Sequence, residues 1–466
     1  MALNPKIFKA YDIRGVYQKD LDEEGMEKII RAIFTFFSKK LNKNNFTVGL
    51  GYDMRLSSPS LFKVAKNVFI EAGAKVINLD LISTPSFYFA VSKYHYNAGV
   101  QITASHNPKE YAGLKFVLNT PQGLLKIGKP TGMQEIKQMA IKGVKIPKSQ
   151  PGTVIKKTGI VQDEIKNALH YFDNPSIKPF KIVADPANGM GAIYIQKLAK
   201  YLPIKLVKMN FDLDGSFPAH QADPMQPENL VDLQKRVLEE KADLGLAPDG
   251  DGDRLFIIDE KGKVVTPSII TSILAQELLK KYPGSKVIVD QKYYLTTKKH
   301  VEANGGELLI SRTGHAYVTQ LMNQTQAILG GEGSAHYFYR EIGGAESQVM
   351  TIVGLLKMLS EQNKPLSEVA DSFKVSYESG DMNFVIENVE PVLAMLRNDY
   401  AKGELSTLDG VAIDFPDWRL TARSSNTEPL LRVTVESKNP QLTRQKAVEI
   451  TKKVLYHGGK LKTGGH

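Results

Sequence analysis

"KIVADPANGMG", residues 181–191, is an apolar run that ends in an acid and then breaks into a glycine-bearing turn. Two other stretches share the form, "TVGLGYDMR" at 47–55 and "KVIVDQKYY" at 286–294, so the acids are Asp53, Asp185 and Asp290. Short β-branched runs of this kind read as buried strands. The amphipathic segments beside them (Pro59 to Ala72, Ala192 to Tyr201, Ser268 to Lys281) read as helices. Strands alternating with helices predict α/β architecture, and each Asp then stands at the carboxyl edge of a sheet, where open α/β sheets take ligands. We therefore expect three related α/β units. The C-terminal part has a different pattern, in which "VAIDF", "WRLTA" and "LLRVTVES" predict a meander, followed by a helix capped by Asn439 with Pro440 in its first turn. The closing "HGGKLKTGGH" is expected to fray. Breaks near 148–153, after 249–254 and around Asp371 to Lys374 divide the chain into 1–150, 151–255, 256–370 and a smaller α+β unit, 371–466.

A chain of 466 residues exceeds what one hydrophobic core usually serves. Its 42% hydrophobic and 24% charged residues are those of a soluble globular protein. The absence of cysteine removes disulfides, thiolate-bound zinc and a thiol nucleophile, and suits a reducing compartment. With no signal-like apolar stretch in "MALNPKIFKAYDIRG" and no membrane-length run, a cytoplasmic protein without a membrane partner is expected. The net charge of +10 suits an anionic substrate or a plainly basic surface. The lysines are scattered without interleaved aromatics, so nucleic acid is not expected as a partner.

Four loops carry chemistry. "QITASHNPKEY" (101–111) runs from a strand into a turn punctuated by Asn107-Pro108, which places Ser105 on an exposed bend beside His106. As sequence neighbours the two are poorly placed to act on each other as nucleophile and base. The chain should return antiparallel as "LKFVL", bringing Lys115 to the base of the loop. There it could exchange a proton if desolvation lowers its pKa, or neutralise a phosphate. In "APDGDGDRLFIID" (247–259), Asp249, Asp251 and Asp253 alternate with glycines, and three crowded carboxylates call for a hard cation such as magnesium or calcium. An EF-hand loop would place Glu260 at its twelfth position. It also needs glycine where Arg254 stands and a helix where "LFIID" reads as strand.

"LGGEGSAHYFYR" (329–340) places Glu332, Ser334 and His336 at alternate positions, which on an extended segment would share one face and suit sugar hydroxyls. "RTGHAY" (312–317) adds His315 after a glycine turn. "ARSSNTEPLLR" (422–432) sets Ser424, Ser425, Asn426 and Thr427 between Arg423 and Arg432, an anion-binding turn if it acts with the others and a plain polar turn if it does not. No Gly-x-Ser-x-Gly elbow and no dinucleotide or Walker motif occurs, which argues against a serine hydrolase.

"TASHNP", "DGDGDR", "GEGSAH" and "RSSNTEP", in this order and with "FKAYDIRG" and "FPAHQADPMQPENL" (217–230), resemble the signature loops of the α-D-phosphohexomutases over essentially the whole chain. Within that family the likeness is greatest to bacterial phosphomannomutase/phosphoglucomutase. The resemblance implies three α/β/α domains with mixed sheets and a smaller α+β domain around a central cleft. It implies interconversion of hexose 1-phosphate and hexose 6-phosphate, mannose and/or glucose, through a phosphoserine and a hexose 1,6-bisphosphate. Ser105 would be the phosphoserine and would share Mg²⁺ with Asp249, Asp251 and Asp253, while Arg14, His106, Lys115, Arg254 and His315 would surround the moving phosphoryl group. Tyr11, Lys292, Glu332, Ser334 and His336 would hold the sugar, and Arg423, Ser425, Asn426 and Thr427 the phosphate that is not reacting. The partner would be a small phosphosugar, and the protein a monomer or weak homodimer. Gly333, Ala335 and Glu346 depart from the usual pattern and bear on which sugar is used. A phosphoglucosamine mutase would share every step, a metal-dependent sugar-phosphate phosphatase would hydrolyse instead, and a non-catalytic binding protein would need none of these residues intact.

Overall fold

A computed structural model describes residues 3–146, 150–424 and 430–462. The strand of the 181–191 stretch, Phe180–Ala184, lies inside a sheet with Ile204–Lys208 parallel on one side and Leu244–Pro248 parallel on the other. Leu255–Asp259 then returns antiparallel to Leu244–Pro248. Thr47–Tyr52 stands in the same relation to Lys75–Leu81, Ala98–Ile102 and the antiparallel Tyr111–Thr120. Lys286–Asp290 does so with Glu307–Ser311, Leu329–Gly331 and the antiparallel Tyr337–Tyr339. The helices Ser58–Glu71, Gly191–Leu198 and Leu295–Ala303 make the first crossover of each unit. Three copies of one topology, predicted from three short strands, are present.

The shared Asp has a different use from the one expected. Asp53, Asp185 and Asp290 each accept a hydrogen bond from the backbone N–H two residues on, those of Arg55, Ala187 and Lys292, at 3.1, 2.9 and 3.1 Å. They lock the turn that leaves the first strand. The chemistry-bearing loops instead join the third strand to the fourth: Ser105 follows Ala98–Ile102, Asp249 follows Leu244–Pro248, and Glu332 follows Leu329–Gly331.

The expected breaks differ from the ends of the sheets. Val154–Lys156 pairs with the first sheet, past 150, and Leu255–Asp259 and Val264–Val265 belong to the second, past 255. The C-terminal unit is an antiparallel sheet containing Val411–Asp414, Trp418–Ser424 and Leu430–Ser437, as the meander reading required. Helix Pro440–Tyr456 follows, its N-terminus capped by the Asn439 side chain, which accepts from the N–H groups of Gln441 and Leu442. The tail does not fray at once: Lys460–Leu461 pairs antiparallel with Met382–Val385, because that strand leaves an edge open for it.

Helices Thr84–Lys93, Ile160–Tyr171, Pro267–Lys281 and Gln348–Gln362 bring the first three units onto one apolar core, in which Phe87, Tyr88, Ile165, Leu274, Val353 and Leu356 are all buried. Within it lies a carboxyl group. Glu164 accepts hydrogen bonds from Ser86 Oγ at 2.5 Å and Ser347 Oγ at 3.3 Å, one hydroxyl from each neighbouring unit. Burial pushes its pKa up to about 7 against the pull of those hydroxyls. The fold therefore prefers the neutral acid. That preference stabilises fully below the unfolded value of 4.5 and is lost as pH rises through about 7. Glu164→Gln, a permanently neutral mimic, should raise thermal stability by roughly 1–3 kcal/mol at about pH 8.5 and leave it nearly unchanged at about pH 5. Melts showing an equal loss at both pH values would contradict this.

Candidate active site

The hairpin that carries Ser105 returns antiparallel, as expected, with Gln101 opposite Lys115. Its tip is not exposed as the Asn-Pro punctuation suggested. Ser105 is only 2% accessible and takes a left-handed backbone, φ 54°. The reason is a second loop lying on top of it: a Cβ on Gly250 would stand 2.5 Å from the Ser105 carbonyl oxygen, so only glycine permits the approach. The same twist overturns the expectation for its neighbour, since Ser105 Oγ lies 3.1 Å from His106 Nδ1. Adjacent residues meet here because the left-handed turn folds the two side chains to one side.

Ser105 Oγ also donates to Asp249 Oδ2 at 3.2 Å. Asp249, Asp251 and Asp253 are all buried, with carboxylate oxygens within 4.8 Å of one another. Gly252 turns the loop at φ 79°, and the Gly252 and Arg254 N–H groups donate to Asp249 Oδ1. Leu255–Asp259 is a strand, as expected, and Glu260 turns away to accept from Ser367, so the EF-hand reading fails. Lys115 crosses from the first unit to donate to Asp251 Oδ2 at 2.7 Å and to Asp253 Oδ2. Arg254 lies 3.5 Å from Asp223 and 3.9 Å from Asp249. Arg14 is bound to Asp12 at 2.7 Å and donates to the Asn107 side chain, beside the serine loop.

Glu332, Ser334 and His336 come together by a different backbone from the one expected. Residues 332–336 form a tight turn and not an extended segment: the Ala335 N–H donates to the Glu332 carbonyl, and Ala335 has φ 65°. The turn stacks the side chains, with Ser334 Oγ 2.8 Å and Glu332 Oε2 3.4 Å from His336 Nδ1. The other face of that ring joins the acidic loop, His336 Nε2 lying 3.3 Å from Asp253 Oδ1. Glu332 further accepts from the Gly314 N–H at 2.6 Å, which anchors the start of helix His315–Thr325. The ring of Tyr11 meets His315 edge-on at 5.6 Å, and its hydroxyl donates to the Thr313 carbonyl. Lys292 Nζ pairs with Asp381 of the fourth unit at 2.7 Å. Arg423 is half-buried and opposes Arg432 across the strand pair. Ser425, Asn426 and Thr427 lie outside the described residues.

Electrostatics separates these groups. Burial alone would lower the Lys115 pKa, but Asp251 and Asp253 outweigh it and hold the ammonium above its usual range. Of the two roles open to it from the sequence, this favours the fixed cation over the proton carrier, because two carboxylates touch it. Burial raises Asp249 to about 7, with Asp253 and Asp251 adding repulsion, whereas Lys115 and His336 overcome burial at Asp253 and keep it well below the usual carboxylate range. His106 is pushed well below 6.5 by burial and by Arg254 and Arg14, and His315 by burial and by Lys126 and Lys115. Both therefore sit neutral at pH 7. Burial opposes charge on His336, but Asp253 and Glu332 raise its pKa, while burial lifts Glu332 to about 7.

Several supporting residues escape a reading of the sequence. Thr84 reaches from the first unit to donate to Asp251 Oδ2 at 2.7 Å. Lys126 and Glu346 form a fully buried ion pair, the ammonium 4.5 Å from the centre of the Tyr88 ring. Arg55 lies under the serine loop. The only sequence signal for Arg55 is its place two residues after a turn-locking Asp; Thr84 and Lys126 have none.

Comparison with known proteins agrees with this geometry. The phosphoglucomutase/phosphomannomutase family's α/β/α domains I, II and III match residues 5–142, 162–262 and 266–376, and its C-terminal domain matches 360–453. A phosphomannomutase of Vibrio cholerae is 34% identical over 455 residues, spanning 96% of this chain and 97% of that protein. A phosphoglucomutase of Neisseria meningitidis is 34% identical over 439 residues, 92% and 93% of the two chains. The crystal structure of a phosphoglucomutase/phosphomannomutase family protein from Burkholderia thailandensis superposes with a TM-score of 0.85 at 27% identity, covering 99% of this chain and 100% of that one. With its three repeated units, its fourth of different topology and its serine loop set against the acidic loop, the chain belongs to the phosphoglucomutase/phosphomannomutase family, whose members are hexose phosphate mutases.

Proposed function

We propose that this mutase interconverts hexose 1-phosphate and hexose 6-phosphate, with mannose and/or glucose as the sugar, through a phosphorylated Ser105 and a bound hexose 1,6-bisphosphate. The observation that carries the reading is the 3.2 Å contact between Ser105 Oγ and Asp249, which puts a hydroxyl from one repeat on a buried acidic triad from the next. In the first half-reaction a sugar hydroxyl attacks phospho-Ser105: the new P–O bond forms to the sugar, the P–Oγ bond breaks, the hydroxyl proton leaves to a base, and the released Ser105 Oγ takes up a proton. In the second, the bisphosphate has turned end for end: its other sugar O–P bond breaks, that phosphoryl group returns to Ser105 Oγ, and the freed sugar oxygen takes up the proton the base held. Neutral His106, within hydrogen-bond reach of Oγ, takes the serine proton in that return step. Neutral His315, whose ring nitrogens have no hydrogen-bond partner among the described residues, is the proposed base toward the sugar. Lys115, Arg14 and Arg254 remain cationic and stabilise the transferring group by charge.

The triad fits a hard divalent cation. Its carboxylates are buried together, and Asp251 Oδ1 has no hydrogen-bond partner among the described residues. Mg²⁺ held by Asp249, Asp251, Asp253 and the serine oxygen would supply charge neutralisation at the phosphoryl oxygens. Glu332, Ser334 and His336 are assigned to sugar hydroxyls, with Tyr11 and Lys292 bordering the sugar, and Arg423 with Ser425, Asn426 and Thr427 to the distal phosphate. We assign it as a cytoplasmic enzyme acting on a small phosphosugar, as a monomer or weak homodimer; no helix among the described residues is long and apolar enough to cross a membrane.

Of mannose 1-phosphate and glucose 1-phosphate, assayed side by side with Mg²⁺ and trace bisphosphate, at least one should be converted to its 6-phosphate; release of inorganic phosphate instead would favour a phosphatase. Ser105→Ala should abolish turnover while sugar-phosphate binding, measured by calorimetry, persists. Arg423→Ala should raise KM for the 1-phosphate and the 6-phosphate alike, about tenfold or more, and a loss confined to one isomer would refute the end-for-end scheme. Added MgCl₂ should raise the melting temperature of the wild-type chain and fail to do so in Asp249→Asn.

A further inference from the structure

Arg55 is almost wholly buried, 1% accessible, and its side chain runs beneath the loop that presents Ser105. Its Nη2 donates to the carbonyl oxygens of Ser105 at 2.7 Å and Asn107 at 2.5 Å, and its Nη1 to those of Pro108 at 2.8 Å and Tyr111 at 3.2 Å. The carbonyl in between, that of His106, is taken by Gln221 Nε2 at 3.0 Å, and that of Ala104 by the Asn107 N–H. Every backbone carbonyl from Ala104 to Pro108 therefore has a donor, and one guanidinium supplies most of them. Few side chains can do this: a guanidinium is a rigid planar fork with five N–H donors, whereas a lysine ammonium is a compact point with three.

The grip is itself fixed from outside. Asp53, which locks the first turn of the unit, lies 3.4 Å from Arg55 Nε. The ring of Phe217, from the second unit, packs on the guanidinium at 5.2 Å. A Cβ on Gly215 would stand 2.6 Å from Arg55 Cα, so the second unit closes directly over the residue. From the opposite side Gly250 presses on the Ser105 carbonyl that Arg55 holds. The backbone carbonyl of Ser105 is thus clamped between a guanidinium below and the acidic loop above.

We propose that Arg55 is a positioning residue for phosphoryl transfer: it holds Ser105 in its left-handed conformation and offsets the converging carbonyl dipoles that would otherwise repel a phosphoserine dianion. This rests on Ser105 being the phosphoryl carrier, and it adds a residue that touches neither sugar nor phosphate. Displacing a reacting atom by about 1 Å can cost on the order of a hundredfold in rate. The loss should fall on transfer and spare the sugar grip, which is built from other loops.

The test is Arg55→Lys, which keeps the charge and loses the fork. Two measurements are made on the full chain with Mg²⁺: steady-state kinetics, and the rate of Ser105 phosphorylation by glucose 1,6-bisphosphate followed by intact-protein mass. We expect kcat and the labelling rate to fall together by roughly 10- to 100-fold, with KM for hexose 1-phosphate within about threefold of wild type. Unchanged kcat and labelling in a folded Arg55→Lys protein would overturn the inference. A rise in KM with labelling intact would overturn it equally. Should Arg55→Lys fail to fold, Gly250→Ala decides, because its methyl pushes the same carbonyl from the other side. It should show the same loss of kcat and labelling, not recovered at saturating Mg²⁺, and normal turnover in this variant would refute the proposal. If the wild-type chain takes no label at Ser105, the carrier assignment itself falls; if it labels and Arg55→Lys labels as fast, only the role of Arg55 does.

Discussion

The structure depends on the burial of three carboxylates at one point. Asp249, Asp251 and Asp253 are inaccessible to water, and in a low-dielectric interior their mutual repulsion would open the loop unless cations were held against it. Lys115 provides the contact, and it comes from a different unit from the acids. A strand pair in the first repeat is thereby bound to a loop of the second. His336 extends the same network into the third repeat through Asp253. The convergence of the loops is thus an electrostatic requirement of the buried acids.

The repeated topology explains why the loops can meet. In each of the first three units the third strand runs parallel to the first and the fourth returns antiparallel, so each unit projects one hairpin-like loop from the carboxyl edge of its sheet. Helices such as Gln348–Gln362 and Ile160–Tyr171 then seal the units against one another through a common core. One loop contributes the hydroxyl, one the acids, and one a hydroxyl, a carboxylate and an imidazole. Copies of one unit thus bring different side chains to neighbouring loops.

Neutral and charged groups are sorted by what touches them. His106 and His336 are both imidazoles near carboxylates, yet burial among arginines lowers the first and direct contact with Asp253 raises the second. Lys115 shows the same logic in reverse: desolvation alone would make it a proton carrier, but two carboxylates keep it a fixed cation. The neutral imidazoles of the site are thus His106 and His315, held near fixed positive charge.

Local chemistry is legible in the sequence alone. Alternating Asp and Gly mean a tight acidic loop, β-branched runs mean buried strands, Asn439-Pro440 means a helix start, and the antiparallel return that sets Lys115 opposite Gln101 follows from chain reversal. Each depends on residues within a few positions of one another, and so does the threefold repeat, copied as a unit. What the sequence does not disclose are relations between distant backbones. Ser105 reads as exposed because nothing near it in the chain announces that Gly250 lies on its carbonyl. The turn at Glu332 to His336 reads as extended because a left-handed Ala335 leaves no compositional mark. Arg55 reads as an ordinary polar residue because its carbonyl partners lie about 50 positions away. Composition and periodicity report what a segment can bury; only packing decides which polar groups are left for one another once water has been excluded.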